Sequence, residues 1–326
     1  MVSTGSIPGM RIVFFGSPQF AVPTLERLIA SSHPVVGVVT QPDRPRGRGQ
    51  MIGEGPVKVR ARAHGIPVLQ PERLKTPEFL QPFAALSPDL GVVAAYGRIL
   101  PEDVLRIPRF GLINVHASLL PRWRGAAPVE RAVIAGDTET GITIMRVVRA
   151  LDAGPVFASV VRPIGADETA EELERDLASM GAALLVQVVD RMQEGSAEET
   201  PQDDRLVTYA PRLTKEEGLI NWTEPATAIH NKVRGLHPWP HAFSFLGGHR
   251  YIILRTSPGG RDAPHVEPGT VVAAVGDQIV VATGDGLVRI LEIQPEGRRA
   301  MMARQFLAGH PLRPGATRFE TPAPQS

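Results

Sequence analysis

Asn114 and His116 stand two residues apart at the end of an apolar run, Gly111 to Val115. On an extended chain residues at that spacing point to one face. An amide N–H can donate to a developing oxyanion, which a carboxylate cannot do. An imidazole can take up and return a proton near neutrality. Chemistry of this kind asks for a carboxylate to orient or charge the imidazole. The candidate is Asp152, in Leu151-Asp152-Ala153-Gly154, where small residues leave room for a substrate. Together Asn114, His116 and Asp152 suit transfer of a carbonyl group onto an amine, with no metal and no covalent intermediate. A structural histidine and a capping aspartate remain the alternative, because N-x-H is too short a pattern to separate the two. A turn at Pro121 follows the pair and carries Arg122, Trp123 and Arg124.

Other chemistries are excluded by what the chain lacks. Gly16-Ser17-Pro18 follows the first apolar run and opens a helix, but only one of the three glycines of a dinucleotide fingerprint is present. It reads as a strand-to-helix turn beside a ligand crevice and not as a nicotinamide site. H-E-x-x-H, G-x-S-x-G and Walker patterns are absent. The cysteine count is zero, which rules out disulfides, thiolate catalysis and cysteine-based zinc sites and fits a reducing cytoplasm.

The elements that must position these residues follow from the apolar patterning. Runs at Met10 to Phe15, Val35 to Val39, Pro67 to Leu69, Leu90 to Ala95 and Gly111 to Val115 alternate with helical segments at Phe20 to Ala30, Pro56 to His64 and Pro77 to Leu86. Near-continuous apolar strands between helices predict a parallel sheet covered on both faces, a doubly wound α/β domain. The β-rich stretches Thr140 to Val148 and Pro155 to Arg162 add a mixed or antiparallel edge. Glu168 to Glu194 reads as a long amphipathic helix with Leu173, Leu177, Met180, Leu184 and Val188 on its apolar face. Beyond a polar linker the pattern changes to a short helix at Ala226 to Gly235 and strands at Tyr251 to Thr256, Thr270 to Ala274, Gln278 to Ala282 and Leu287 to Ile293. Turn residues at close spacing between those strands suit a small barrel. A helix at Arg299 to Leu307 and a disordered tail complete the chain.

At 326 residues the chain can hold two cores. Its 43% apolar and 21% charged residues are those of an ordinary globular protein. No apolar run reaches the length of a membrane span, and the first ten residues lack the apolar core of a signal peptide. A formal net charge of +1 argues against a globally basic protein. Locally, Arg44 to Arg62 holds Arg44, Arg46, Arg48, Lys58, Arg60 and Arg62 against one acid, Glu54. Such a loop can meet a polyanion, or it can be a solvated surface.

Residues 114 to 125, Asn-Val-His-Ala-Ser-Leu-Leu-Pro-Arg-Trp-Arg-Gly, resemble the signature of the methionyl-tRNA formyltransferase family. So do Met10 to Phe20, Thr40-Gln41-Pro42-Asp43-Arg44-Pro45, Gly141-Ile142-Thr143-Ile144-Met145, Leu151 to Gly154, Tyr209 to Leu213, Asn231 to Arg234 and Pro238-Trp239-Pro240, in order and spacing. The resemblance spans about Met10 to Pro314. It implies a Rossmann-like formyltransferase domain over 10–199, a linker over 200–216 and an OB-like β-barrel over 217–316. Residues 1–9 and 317–326 read as disordered extensions. It further implies a formyl group passing from 10-formyltetrahydrofolate, as co-substrate, to the amino group of initiator methionyl-tRNA. Asn114, His116 and Asp152 would be the catalytic trio. Ser118, Leu119, Leu120 and Pro121 would line the folate site. Arg44, Arg46 and Arg48 would contact tRNA, and the barrel would lie along its backbone. Arg60 and Arg62 read as a solvated helix face, and Trp222 and Trp239 as packing residues. A cytoplasmic, metal-free monomer is expected. Formyltransferases acting on amino sugars or glycinamide ribonucleotide share the same trio, and a non-catalytic RNA-binding homologue is the alternative of another class. Ala150, where family members often have glycine, and Arg149 before it depart from the pattern.

Overall fold

The computed structural model describes residues 9–46, 51–260 and 265–321. Among them no helix is long and apolar enough to cross a membrane. The chain divides into two compact units, 1–126 with 140–162 and 174–210, and 127–139 with 163–173 and 211–326. Each unit is therefore discontinuous, where the sequence suggests consecutive domains joined by one linker. The segment 200–210, read as linker, belongs to the first unit.

The first unit is built on a seven-stranded sheet. In spatial order its strands are Val156–Pro163, Glu139–Arg146, Leu112–His116, Leu90–Ala94, Ile12–Gly16, Val35–Val39 and Val68–Leu69. The last five run parallel, and Glu139–Arg146 pairs antiparallel to Leu112–His116. The chain winds outward from Ile12–Gly16 to Val68–Leu69 and then returns to Leu90–Ala94 on the other side. This places a topological switch point between strands Ile12–Gly16 and Leu90–Ala94, where open α/β sheets bind ligands beyond the strand ends. Ile12, Val13, Phe14 and Phe15 are fully buried, as are Leu90, Val92, Leu112 and Ile113. Apolar side chains on both faces explain why these strands read as continuous runs and not as alternating patterns.

Helix Ala170–Glu194 begins at a reciprocal cap. The Thr169 hydroxyl accepts from Glu172 N–H at 3.3 Å, and the Glu172 carboxylate accepts from Thr169 N–H at 2.9 Å. Of its expected apolar face, Leu173, Leu177 and Val188 are fully buried, while Met180 and Leu184 are only half-buried; Leu185 and Val189 are buried in addition, with Ala178, Gly181 and Ala182. Small residues set the contact line: a Cβ on Gly181 would lie 2.7 Å from Val115 Cγ1, so the helix presses directly on the strand that carries Asn114 and His116.

The second unit holds an antiparallel sheet in the order Ala242–Leu246, His249–Pro258, Leu287–Pro295, Gln278–Ala282, Val271–Val275, with Met301–Met302 on Leu287–Pro295. The strand Ala242–Leu246 and the helix Pro128–Ala135 were not evident in the sequence pattern. The expectation of a disordered tail from 317 fails for Thr317–Thr321. Phe319 is buried against Trp222, with ring centroids 5.6 Å apart. Glu320 exchanges backbone hydrogen bonds with Phe245, and Phe319 N–H donates to Gly269 O at 2.8 Å. The segment thereby bridges the strand Ala242–Leu246 and the start of Val271–Val275, and an aromatic side chain pays for its order. Residues 1–8 and 322–326 of the expected extensions lie outside the described residues. Trp222 packs as expected, its indole N–H donating to Ser244 Oγ at 2.9 Å. Trp239 does not, because half of its surface is exposed.

Candidate active site

The strand Leu112–His116 delivers Asn114 and His116 at register positions opposite Met145 and Thr143. His116 is buried and Asn114 half-buried. The imidazole Nε2 lies 2.9 Å from the carbonyl oxygen of Trp123. A carbonyl only accepts, so Nε2 carries a hydrogen and donates it. Nδ1 is then the nitrogen that takes up or releases a proton. It lies 3.8 Å from Oδ2 of Asp152, too far for a hydrogen bond and close for a charge interaction. Sequence reasoning chose Asp152 as third partner, and the structure brings it to the imidazole.

The backbone holds Asp152 in an unusual conformation. Its φ is +46°, left-handed for a residue with a side chain, which costs on the order of 1–2 kcal/mol. Its Oδ2 accepts from Gly125 N–H at 2.9 Å. Gly125 itself has φ +130°, and a Cβ there would lie 2.6 Å from the Ala210 carbonyl oxygen. Only glycine fits, because Arg124-Gly125 pairs parallel with Tyr209-Ala210 at this point. Two residues downstream of Asp152, a Cβ on Gly154 would lie 1.9 Å from Arg146 O, so this loop too is closed tightly on its strand.

The turn Ser118 to Pro121 is built by Thr143. The Thr143 hydroxyl donates to Ser118 O at 2.7 Å and accepts from Leu120 N–H at 3.1 Å. Leu120-Pro121 is a cis peptide bond. Ser118 is fully buried and its hydroxyl donates to Arg122 O at 2.6 Å, so its side chain builds the turn. Leu119, Leu120 and Pro121 remain partly exposed. Sequence reasoning missed Thr143, although it faces His116 across the strand pair and a period-2 reading of Gly141 to Met145 puts it there.

At the switch point, Gln41 ties two strand ends together. Its N–H donates to Ser17 Oγ at 3.0 Å and its amide Nε2 to Tyr96 O at 2.7 Å. Asp43, next along, takes hydrogen bonds from Lys58 and Gln70. The Lys58 ammonium, with Gln70 second, holds the Asp43 carboxyl below its ordinary range, and Asp43 in turn raises Lys58. The root of the basic loop is thus pinned by an ion pair. Arg44 leaves that root exposed. Arg46 lies in a two-residue strand, Pro45–Arg46, paired with Met51–Ile52. Arg48 lies outside the described residues. Arg60 and Arg62 pair with Glu26 and Glu54 on the surface, which suits a solvated helix face. Arg149 is exposed.

The formyl transferase family model matches residues 10–189, the range that holds Asn114, His116 and Asp152, and the C-terminal domain model of formyl transferases matches 212–311. Curated relatives named methionyl-tRNA formyltransferase include that of Citrifermentans bemidjiense, 48% identical over 94% of this chain and 96% of its own length, and that of Methylobacillus flagellatus, 49% identical over 94% and 98%. This chain belongs to the methionyl-tRNA formyltransferase family. As in that family, it is an enzyme that transfers formyl groups. Solved structures share the fold. An N-formyltransferase from Helicobacter canadensis, in complex with folinic acid and dTDP-3-aminofucose, has a TM-score of 0.65 at 16% identity and covers 88% of this chain and 99% of that one. HypX from Aquifex aeolicus in complex with tetrahydrofolic acid has a TM-score of 0.60 at 17% identity and covers 92% and 47%. Among the described residues no group of histidine, aspartate and glutamate side chains is placed to hold a metal ion.

Proposed function

We propose that this formyltransferase takes its formyl group from 10-formyltetrahydrofolate and delivers it to the α-amino group of initiator methionyl-tRNA. The observation that carries the chemistry is the pairing of His116 Nδ1 with the Asp152 carboxylate beside Asn114. The amine attacks the formyl carbon, a C–N bond forms, and the carbonyl oxygen becomes an oxyanion. The Asn114 amide donates to that oxygen. The attacking nitrogen must shed a proton, and the bond from the formyl carbon to N10 of the folate breaks as N10 gains one. His116 is the group that moves this proton. Its Nε2–H is held by Trp123 O, so Nδ1 receives the proton, and the imidazolium that forms faces Asp152. The donor lies against Leu119, Leu120 and Pro121 near the switch point. Ser118 shapes that turn from within.

For the acceptor, relatives at 46–49% identity that align over nearly their whole length are named for methionyl-tRNA, whereas a sugar N-formyltransferase shares 16%. Exposed Arg44, on a loop pinned by Asp43 and Lys58, is placed for a phosphate, with Arg46 and Arg48 following in the sequence. The deciding experiment offers 10-formyltetrahydrofolate with initiator methionyl-tRNA, elongator methionyl-tRNA and an amino-sugar nucleotide in parallel. Formylation of the initiator alone is expected. Faster formylation of the sugar would overturn the acceptor assignment. Arg44→Ala should raise KM for the tRNA while leaving KM for the folate within about twofold, since a phosphate contact adds affinity without touching the donor.

A further inference from the structure

Gln202 lies in a stretch that reads as linker, yet all four functions of its amide are engaged at the site. Its Oε1 accepts from Arg124 Nε at 3.1 Å and from Arg124 Nη2 at 2.8 Å. Its Nε2 donates to Asp152 O at 2.8 Å and to Gly154 O at 2.7 Å. The guanidinium has only donors, so it fixes which end of the amide faces it. The NH2 end is thereby aimed at the two carbonyls on either side of Ala153. Arg124 is buried, and its charged partner, Asp204, has a side chain that is 84% exposed. An exposed partner screens a buried charge weakly, so the half-buried Gln202, which takes two of its hydrogen bonds, is the principal partner of Arg124.

We propose that Gln202 is a positioning residue for the Asp152 carboxylate, with Arg124 as its anchor. It holds the carbonyl of a residue whose φ is +46° and the carbonyl two residues later. These two bonds fix the peptide planes that set where Oδ2 meets His116 Nδ1. No other neutral side chain of this length can accept from a fork of two donors and donate twice. Glutamate would keep the Arg124 pair but set carboxylate oxygen against two carbonyl oxygens. Methionine would fill the space and lose all four bonds. The inference rests on Asp152 acting in formyl transfer as proposed above.

The test uses the full chain with 10-formyltetrahydrofolate and initiator methionyl-tRNA, each varied in turn, for Gln202→Met and Gln202→Glu, alone and combined with Asp152→Asn. Misplacing a reacting group by about an ångström costs on the order of 10- to 100-fold in rate. That loss is expected in kcat for both single variants, with both KM values within about twofold. In the Asp152→Asn background the same substitutions should change kcat by less than about twofold, because a residue acting only through Asp152 has nothing left to act on. A purely structural role would lower thermal stability and leave that non-additivity absent. Unchanged kcat in Gln202→Glu, the variant that keeps Arg124 partnered, overturns the inference even if Gln202→Met fails to fold. A loss that persists undiminished in the Asp152→Asn background overturns it as well. If Asp152→Asn alone turns over normally, the catalytic reading itself fails and this inference falls with it.

Discussion

Replacing Asp152 by asparagine isolates one physical quantity, the charge opposite His116. Asparagine has the same shape and is among the residues that tolerate a left-handed φ, so the +46° backbone is kept. Its side-chain oxygen can still accept from Gly125 N–H, which donates to Asp152 Oδ2 at 2.9 Å in the parent. Stability should therefore change by less than about 1 kcal/mol. What disappears is the attraction between the carboxylate and the imidazolium that forms as Nδ1 takes a proton. At 3.8 Å with an effective dielectric constant near 20, that attraction amounts to about 4 kcal/mol. It exists only once the proton has moved, so it lowers the barrier and not the energy of bound substrate.

A loss of about 4 kcal/mol corresponds to a fall in kcat of about 10³-fold. The assay is single-turnover formylation of initiator methionyl-tRNA with folate in excess, beside a thermal melt. Asp152→Ala should be worse in a different way. It loses the same charge, the bond from Gly125 and the side chain that helps tolerate positive φ, so it should also melt lower. A kcat for Asp152→Asn within tenfold of the parent, with an unchanged melt, would refute the assignment of the carboxylate to charge stabilisation. Equal catalytic loss with a large drop in stability would instead show that Asp152 serves the fold.

Three further outcomes follow from the packing and the charges. Phe319→Ala should destabilise the second unit by about 3–5 kcal/mol in urea titration, because a fully enclosed ring against Trp222 leaves a cavity; a change below 1 kcal/mol would mean that the C-terminal segment does not support the antiparallel sheet. Gly125→Ala should cost more than about 2 kcal/mol and most of the turnover, since φ is +130°, its Cβ would lie 2.6 Å from Ala210 O, and its N–H holds Asp152. His241 is held below its ordinary 6.5 by burial first, then by His237 and Arg250, with Glu171 opposing. A lowered base pKa means that the folded state resists protonation, so stability is full above about pH 6.5 and declines as pH falls through 6.5 towards the lowered native value. His241→Asn, which suits φ +68°, should flatten the decline in melting temperature between pH 7 and 5.5; an identical slope in both proteins would refute this.

The sheet was legible because its strands are buried on both faces and so appear as unbroken apolar runs. One such apolar run placed a strand at Gly111 to Val115, one residue short of its observed bounds Leu112–His116, and with it the shared face of Asn114 and His116. Asp152 could be guessed from its chemistry and its small neighbours. Gln202 could not, because its role lies in backbone carbonyls that only the folded chain brings to it. The order of Thr317 to Thr321 was hidden for a related reason. Among proline, threonine and glycine a single Phe319 carries no periodicity, and the hydrogen bonds that order the segment belong to distant strands. In helix Ala170–Glu194 the expected apolar face holds at Leu173, Leu177 and Val188 but not at Met180 and Leu184, because alanine and glycine, weak in any hydrophobic pattern, form part of the buried face and bring the helix close to the sheet.

The run Trp123-Arg124-Gly125 acquires its meaning from the same physics. Trp123 serves His116 through its carbonyl, which holds the hydrogen on Nε2 and leaves Nδ1 turned to Asp152. Arg124 serves Asp152 through Gln202. Gly125 serves Asp152 through its N–H. Three consecutive residues therefore set both partners of the pair proposed to move the proton, and two of them do so by main chain alone. Trp123 adopts φ +62° and is held there by Thr208, whose hydroxyl accepts from Trp123 N–H at 2.9 Å and whose carbonyl accepts from Arg124 N–H. The segment Gln202 to Ala210 is thus a brace along the turn Trp123 to Gly125, bonded at Thr208, Ala210 and Gln202. Loosening that brace should release His116 and Asp152 together, whereas substituting either partner leaves the other in place.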